Sequence, residues 1–150
     1  STLFPYTTLF RSRSIFNMPY YDLLIGDDLA VYPSYYEPWG YTPLEATAFR
    51  VPCITTSLSG FGLWANKEIG RQSKILDGVE VITRNDYNFN EVVDNIVSTI
   101  TTYSALDSKK QNAVRKKAES LSEKALWKHF IQYYYEAYNI ALRNRNKRLG

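Results

Sequence analysis

The sequence predicts an α/β fold, a small parallel sheet with helices packed on it. Three short apolar runs with strand character alternate with helical patterns, which is typical of parallel βαβ units. The chain has 150 residues and is 45% hydrophobic, enough for one sizeable core, so we expect a single domain. Three strands are few for a complete doubly wound sheet. We therefore predict a partial Rossmann-like domain, its C-terminal half, followed by C-terminal helices.

The predicted strands and the segments between them succeed one another in a regular order. A short helix closed by Gly26 precedes the first strand, and a helix that begins near Pro43 precedes the second. A Ser/Gly loop and a mixed stretch interrupted by Gly70 and Gly78 lead to the third. In order, the ranges are helix 17–26, strand 29–32, helix to about residue 50, strand Cys53–Thr56, loop 57–62, mixed stretch 63–78 and strand Val79–Ile82.

Three further helices are predicted after the last strand. The first starts at Phe89 and the second covers residues 108–121. The third is long and carries an aromatic stripe at helical spacing, and residues 144–150 are predicted to be a frayed basic tail. The stripe either packs on the chain's own sheet or normally contacts a domain outside this sequence. Its members are Trp127, Phe130, Tyr134, Ala137, Tyr138 and Ala141.

Composition excludes several classes of site. One cysteine and one histidine leave no disulfide framework and no zinc cluster, so we predict no metal site. No apolar run approaches the roughly 18 residues of a membrane span, which favours a soluble, cytoplasmic protein. The net charge of +3 is concentrated after residue 106. Those cations lie on a helical pattern with apolar interruptions, so we predict a solvated helix face and no nucleic-acid binding.

Residues 1–13 differ in character from the rest of the chain. They lack the basic start, continuous apolar stretch and small-residue cleavage site of a signal peptide. They look like translation of a sequencing adapter, and we predict that they are a non-native N-terminal segment. The natural fold is therefore expected to begin at about residue 14, on a chain truncated at its N-terminal side.

The stretch from Pro33 to Glu45 is the most informative in the chain. It carries two carboxylates, Glu37 and Glu45, across a Pro/Gly loop that opens a helix. Thr42 is a good N-cap and Pro43 suits the first helical position, which places Glu45 at the third position of a capping box. A strand, a Gly-containing loop and a helix N-terminus together form a favourable site for an anion.

The pattern Pro-Ser-x-x-Glu-Pro-x-Gly-x-x-x-x-Glu resembles the Glu-x7-Glu motif of retaining nucleotide-sugar glycosyltransferases with the two-domain GT-B fold. With the later string Leu-Ser-Gly-Phe-Gly at 58–62, the chain is similar to the glycogen synthase family of animals and fungi and its bacterial relatives. The likeness runs from about Tyr20 to about Arg143. It implies that residues 14–143 form the C-terminal part of a GT-B domain, with 144–150 as a basic tail.

The resemblance implies an activity: transfer of glucose from UDP-glucose to the non-reducing end of an α-1,4-glucan, with retention and without a metal or other cofactor. Its other implied partner is the N-terminal domain of the same enzyme, which is missing here. That domain and the upstream segment hold the acceptor-side residues and the Arg and Lys that bind the donor phosphates. The fragment alone is therefore expected to be inactive. A homo-oligomer is compatible with the sequence.

The resemblance also assigns roles to individual residues. It places Glu37 against the donor glucose as the catalytic residue and Glu45 against the ribose hydroxyls. Trp39 would wall the pocket. The backbone amides near Gly40, Tyr41 and Thr42 would bind the phosphates, and the cleft-supporting segment would be Ser59, Gly60, Phe61 and Gly62.

Simpler interpretations of the same residues stay open. Glu45 could serve only as a capping residue, Glu37 could be a solvated loop residue, and the Ser-Gly-Phe-Gly segment could be a plain turn. At the level of function, the alternatives are another retaining GT-B glycosyltransferase and a nucleotide- or glycan-binding domain without turnover.

Overall fold

The computed structural model describes residues 18–149, and their side chains as far as residue 145. Three strands alternate with helices, and three longer helices complete the chain, as the sequence predicts. The elements are α1 (Tyr20–Leu24), β1 (Ala30–Val31), α2 (Tyr41–Ala48), β2 (Cys53–Thr56), α3 (Gly60–Ile69), a 3₁₀ turn (Ile75–Asp77), β3 (Val79–Ile82), α4 (Phe89–Ser104), α5 (Ser108–Glu123) and α6 (Trp127–Leu149).

The three strands form one parallel sheet in the order β1-β2-β3. Cys53 at the centre pairs with Ala30 on one side and with Val79 on the other. Parallel neighbours need a crossover, and α2 and α3 supply the two crossovers. All four residues of β2 and of β3 are buried, as expected for strands covered on both faces. The predicted α/β class and the partial Rossmann-like architecture are confirmed.

Helices cover both faces of this sheet. On one face, Cys53 and Val79 pack with Phe61 of α3, Ala46 of α2 and Leu121 of α5. On the opposite face, Ile54 and Ile82 pack with Val92 of α4. The alternation of neighbouring strand residues between the two clusters results from the period of two along a strand. Phe61 is fully buried, and its burial contributes about 2 kcal/mol or more to stability.

Several predicted boundaries shift. The first strand is shorter than predicted, and α1 occupies only the middle of its predicted range. The stretch predicted as a loop up to Gly62 and then as mixed structure contains α3, which begins at Gly60 and has Ser59 as its N-cap. Two glycines with low helix propensity obscure this start in the sequence. The frayed basic tail is also corrected, because the backbone of α6 stays helical to Leu149.

The aromatic stripe of α6 is mostly exposed. Trp127, Tyr134 and Tyr138 are each about half exposed, whereas Phe130 packs against Trp39 and Trp64 outside α6. The interpretation in which the stripe packs on the chain's own sheet is therefore wrong for most of its members. Within residues 18–149, no helix has the length and apolar character needed to cross a membrane.

Gly78, just before β3, packs closely against α5. It has a φ of 96°, and a Cβ there would overlap the backbone nitrogen of Ala118. We expect Gly78→Ala to lower the free energy of unfolding by about 2–5 kcal/mol, because the left-handed backbone and the overlap both oppose it. Urea denaturation measures this change in the free energy of unfolding. Gly70→Ala is the matched control, since Gly70 also has positive φ but open space around it; it should cost only about 1 kcal/mol. Equal losses in both variants would contradict the packing at Ala118.

Candidate functional site

The predicted site residues gather at the carboxyl edge of the sheet. The loop with Glu37 comes after β1, the Ser59 segment comes after β2, and Arg84 lies just beyond β3. In open parallel sheets this edge is where ligands bind. The parallel topology therefore brings together two motifs that lie about twenty residues apart in the chain.

Backbone hydrogen bonds join these two motifs directly. The amide of Glu37 donates to the carbonyl of Leu58 at 3.1 Å, and the amide of Gly60 donates to the carbonyl of Glu37 at 3.0 Å. The carbonyl of Trp39 then accepts from the amide of Phe61 at 2.6 Å and from Ser59 Oγ at 3.1 Å. The Ser-Gly-Phe-Gly segment is therefore more than a turn. It clamps the Glu37 loop on both sides of the carboxylate.

The clamp requires glycine at one position. A Cβ on Gly60 would overlap the carbonyl oxygen of Pro38, so only glycine lets the two backbones approach this closely. Ser59 completes the junction, because its hydroxyl also accepts from the amide of Gly62 at 3.3 Å. The same serine thus caps α3 and fastens the Glu37 loop.

The start of α2 differs from the sequence prediction. Its N-cap is Gly40, in the left-handed conformation with φ 109°, and no side chain caps the helix. Thr42 is consequently the second helical residue and Pro43 the third, so the predicted capping box with Glu45 does not form. The sequence signals of Thr and Pro favour a start two residues later. The left-handed turn at Gly40 overrides them, because it directs the chain into the helix immediately.

This helix N-terminus leaves amides free for a ligand. The first N–H groups of a helix have no partner inside it, and the described residues provide no acceptor for the amides of Gly40, Tyr41 or Thr42. Tyr41 and Thr42 are exposed, whereas Gly40 is buried. Free amides and the positive end of the helix dipole favour an anion here.

Glu45 has one partner that the sequence did not suggest. The hydroxyl of Tyr21, on α1, donates to Glu45 Oε1 at 3.2 Å. The negative charge of Glu45, helped by this hydrogen bond, raises the pKa of the Tyr21 phenol above its ordinary value. Tyr21 lies 24 positions before Glu45 in the sequence. No periodicity or motif spacing links the two residues. Glu45 is half-buried, one turn into α2.

Glu37 presents a different environment. Its backbone is held on both sides by the residues that come after β2. Its side chain is only partly buried, and within residues 18–145 its carboxylate has no ion-pair partner. A carboxylate on a fixed backbone and without an internal partner is free to act on a ligand.

Trp39 belongs to an aromatic cluster that connects the Glu37 loop to α6. Its ring centroid lies 5.8 Å from that of Trp64, 5.9 Å from that of Phe130 and 6.2 Å from that of Phe61. Trp39 also borders an open groove of about 420 Å³ between α2 and α6. The other groove residues are Tyr41, Leu44, Ala125, Trp127, Phe130, Tyr133 and Tyr134.

The cysteine and the candidate metal ligands of the described part of the chain are placed as follows. Between residues 18 and 149 no three His, Cys, Asp or Glu residues come together in a way that could hold a metal ion. Cys53 is fully buried in β2, and burial raises the pKa of its thiol far above the ordinary value. Its Sγ lies 3.8 Å from the carbonyl oxygen of Pro43, and its side chain packs in the core cluster on one face of the sheet.

Comparison with known proteins identifies the chain's relatives. The family model described as glycogen synthase matches residues 3–147. Glycogen [starch] synthase of Neurospora crassa is 33% identical over 135 residues, which are 90% of this chain and 19% of the relative. Isoform 2 of Saccharomyces cerevisiae is 34% identical over 132 residues, 88% of this chain and 19% of that protein. The liver protein of Homo sapiens is 30% identical over 125 residues, 83% of this chain and 18% of that protein. The chain thus spans about a fifth of the length of these relatives.

Proposed function

Because the chain belongs to the glycogen synthase family, we propose that it carries the donor site of a glycosyltransferase. The reaction is transfer of glucose from UDP-glucose to the non-reducing end of an α-1,4-glucan, with retention. The observation that carries this proposal is the Glu37 loop, clamped at the carboxyl edge of the sheet and leading straight into a helix N-terminus with free amides. The family resemblance of the motif and this geometry support the same assignment.

The free amides of Gly40, Tyr41 and Thr42 are suited to the donor diphosphate. Departure of the nucleotide builds negative charge on the diphosphate in the transition state. Fixed amides and a helix dipole aimed at that charge stabilise it without reorganisation. Gly40 is central to this arrangement, because its left-handed turn lets the helix begin there.

Glu37 is proposed to face the donor glucose. Positive oxocarbenium character develops on the sugar as the bond to the diphosphate breaks, and a carboxylate held nearby stabilises it. The hydrogen bonds on both sides of Glu37 supply the required fixity, since they hold its amide to Leu58 and its carbonyl to Gly60.

Glu45 is proposed to bind the ribose hydroxyls. The carboxylate lies one helical turn beyond the amides proposed for the diphosphate. Among the described residues no capping interaction occupies it and Tyr21 engages only Oε1, which leaves Oε2 for a ribose hydroxyl. Tyr21 would orient the carboxylate in this arrangement.

The remaining parts of the proposal derive from the family. We propose no metal or other cofactor, an α-glucan acceptor bound with the help of an N-terminal domain, and a cytoplasmic location. Ser59, Gly60, Phe61 and Gly62 take the supporting role that their contacts with the Glu37 loop suggest. Trp39 is proposed to wall the donor pocket from the side of the groove that it borders.

Replacement of Glu45 tests the ribose assignment. Glu45→Gln should mainly raise KM for UDP-glucose and leave kcat nearly unchanged, because ribose is held equally in the ground and transition states. Steady-state kinetics would be measured on the longest natural chain that contains this sequence, with glycogen as the acceptor. The matched control is Glu91→Gln, an exposed glutamate at the start of α4, which should behave as the wild type. Unchanged KM in the Glu45 variant would remove this residue from the donor site.

A further inference from the structure

Arg84 lies two residues beyond β3, and its side chain extends back to the loop after β1. Its Nη1 donates to the carbonyl of Pro33 at 2.6 Å. Its guanidinium carbon lies 5.0 Å from the ring centroid of Tyr35, within the range of a cation–π interaction. A side chain that follows β3 therefore contacts two residues of the loop that follows β1, on the other side of β2.

The backbone of Arg84 is itself anchored. Its amide donates to Ser57 Oγ at 3.0 Å, and the amide of Ser57 donates to the carbonyl of Ile82 at 2.9 Å. Hydrogen bonds therefore join the segments after β2 and β3 at the backbone of Arg84, from which the side chain extends to the loop. The guanidinium starts from a fixed point on the sheet.

Among the described residues, few other contacts hold the beginning of the Glu37 loop. Tyr35 is 51% exposed and Tyr36 is 81% exposed, so neither packs the loop into the core. The amide of Ser34 donates to the backbone carbonyl of Tyr32 at 2.8 Å, and the hydroxyl of Thr56 donates to the carbonyl of Ser34 at 2.6 Å. Pro33 has no N–H, so its carbonyl is the one backbone group through which a hydrogen bond can hold it.

The chemistry of this contact requires arginine. A planar guanidinium can donate to a carbonyl and stack on an aromatic ring at the same time, whereas a lysine ammonium is a point charge that cannot reproduce both. The clamp from residues 58–61 fixes Glu37 and Trp39, and the Arg84 contacts fix the loop two to four residues earlier. Together the two sets of contacts hold both ends of the segment that presents Glu37.

We propose that Arg84 is a positioning residue for the donor site, acting through Pro33 and Tyr35 on the placement of the Glu37 carboxylate. This inference rests on the proposed function, because placement matters for turnover only if Glu37 faces the donor. Displacement of a catalytic group by about 1 Å can reduce turnover up to a hundredfold. Since the contacts lie at the surface end of the loop, their loss should change turnover far more than global stability.

The first test is kinetic, on the longest natural chain that contains this sequence. Arg84→Met should lower kcat about tenfold or more with little change in KM for UDP-glucose, and Arg84→Lys should recover only part of the loss. Tyr35→Ala should lower kcat in the same direction, and Tyr35→Phe, which keeps the ring, should restore it. Arg71→Met is the control, because Arg71 forms an exposed ion pair with Asp77 away from the loop. A purely structural role would lower the melting temperature of the Arg84 variant and leave kcat of the folded protein unchanged, which would overturn the proposal.

The second test needs no activity and uses the 150-residue chain. Amide hydrogen exchange should accelerate at the hydrogen-bonded amides of Ser34 and Glu37 in Arg84→Met and stay at the wild-type rate in β3. Unchanged exchange over the loop would overturn the proposal. In the kinetic test, Glu37→Gln is assayed in parallel on the longest natural chain to separate the two claims: normal turnover in that variant would defeat the proposed function. Reduced turnover there, with normal turnover in Arg84→Met, would defeat only the positioning role.

Discussion

Replacement of Glu37 by Gln is expected to lower kcat for glucosyl transfer about a hundredfold or more. Glutamine keeps the size of the side chain and removes the negative charge that stabilises the developing oxocarbenium character. KM for UDP-glucose should stay close to the wild-type value, because the lost interaction is strongest in the transition state. The rate is measured with labelled UDP-glucose and glycogen, on the longest natural chain that contains this sequence.

The control for this variant separates loss of charge from loss of structure. Glu91→Gln removes a carboxylate from an exposed helix position and should leave kcat unchanged. Circular dichroism and thermal melting should show that the Glu37 variant is folded like the wild type, since its side chain makes no ion pair within residues 18–145. A Glu37 variant with wild-type kcat would contradict its assignment as the catalytic residue.

The second large effect is expected from Gly60→Ala. The added methyl group would overlap the carbonyl of Pro38, so the Glu37 loop and the start of α3 must separate. The bonds from the amide of Gly60 to Glu37 and from the amide of Phe61 to Trp39 would lengthen or break. We expect a loss of about 2–4 kcal/mol in the free energy of unfolding and a fall in kcat of about a hundredfold.

Urea denaturation and the transfer assay measure the two consequences of this substitution separately. Gly70→Ala serves as the control. Gly70 is the C-cap of the same helix, α3, and a Cβ there would have no atom within 4 Å. Gly70→Ala should retain transfer activity. If Gly60→Ala kept both stability and activity, the close contact between the two motifs would not be needed for the site.

The sequence predicted those parts of the fold that depend on local pattern. The strands Cys53–Thr56 and Val79–Ile82 have the predicted bounds, because short apolar runs between breakers leave few alternatives to a buried parallel strand. The helix that begins at Phe89 is also confirmed. Recognition of the glycogen synthase family from two strings of residues agrees with the family match.

Other features depend on tertiary contacts that local signals do not encode. Thr42 and Pro43 are good start signals, yet the helix begins earlier, because the backbone of Gly40 adopts a left-handed turn beside Ser59 and Phe61. The start of α3 at Gly60 was missed since its glycines are selected by close approach to the neighbouring loop and not by helix propensity.

The side chains that contact the site residues likewise could not be predicted from local sequence patterns. Tyr21 contacts Glu45 across 24 positions, and Arg84 contacts Pro33 across 51 positions. The Arg84 contact arises because parallel strands bring distant loops to one edge of the sheet, whereas the Tyr21 contact joins the helices α1 and α2. A positively charged residue just after a predicted strand is a signal that could have drawn attention to Arg84, although not to its partners.

Titration of the isotopically labelled 150-residue chain with UDP, followed by amide NMR, tests most directly whether this loop is the donor site. We predict saturable shifts at the amides of Gly40, Tyr41 and Thr42, larger than those caused by sulfate at the same ionic strength, with Gly70 unaffected. A diphosphate should shift these amides more than UMP does, because the helix N-terminus is proposed to hold the phosphates. The basic residues of α5 are Lys109, Lys110, Arg115, Lys116 and Lys117. Shifts confined to the basic residues of α5, or none at residues 40–42 in a folded chain, would contradict the assignment of this loop as the donor site.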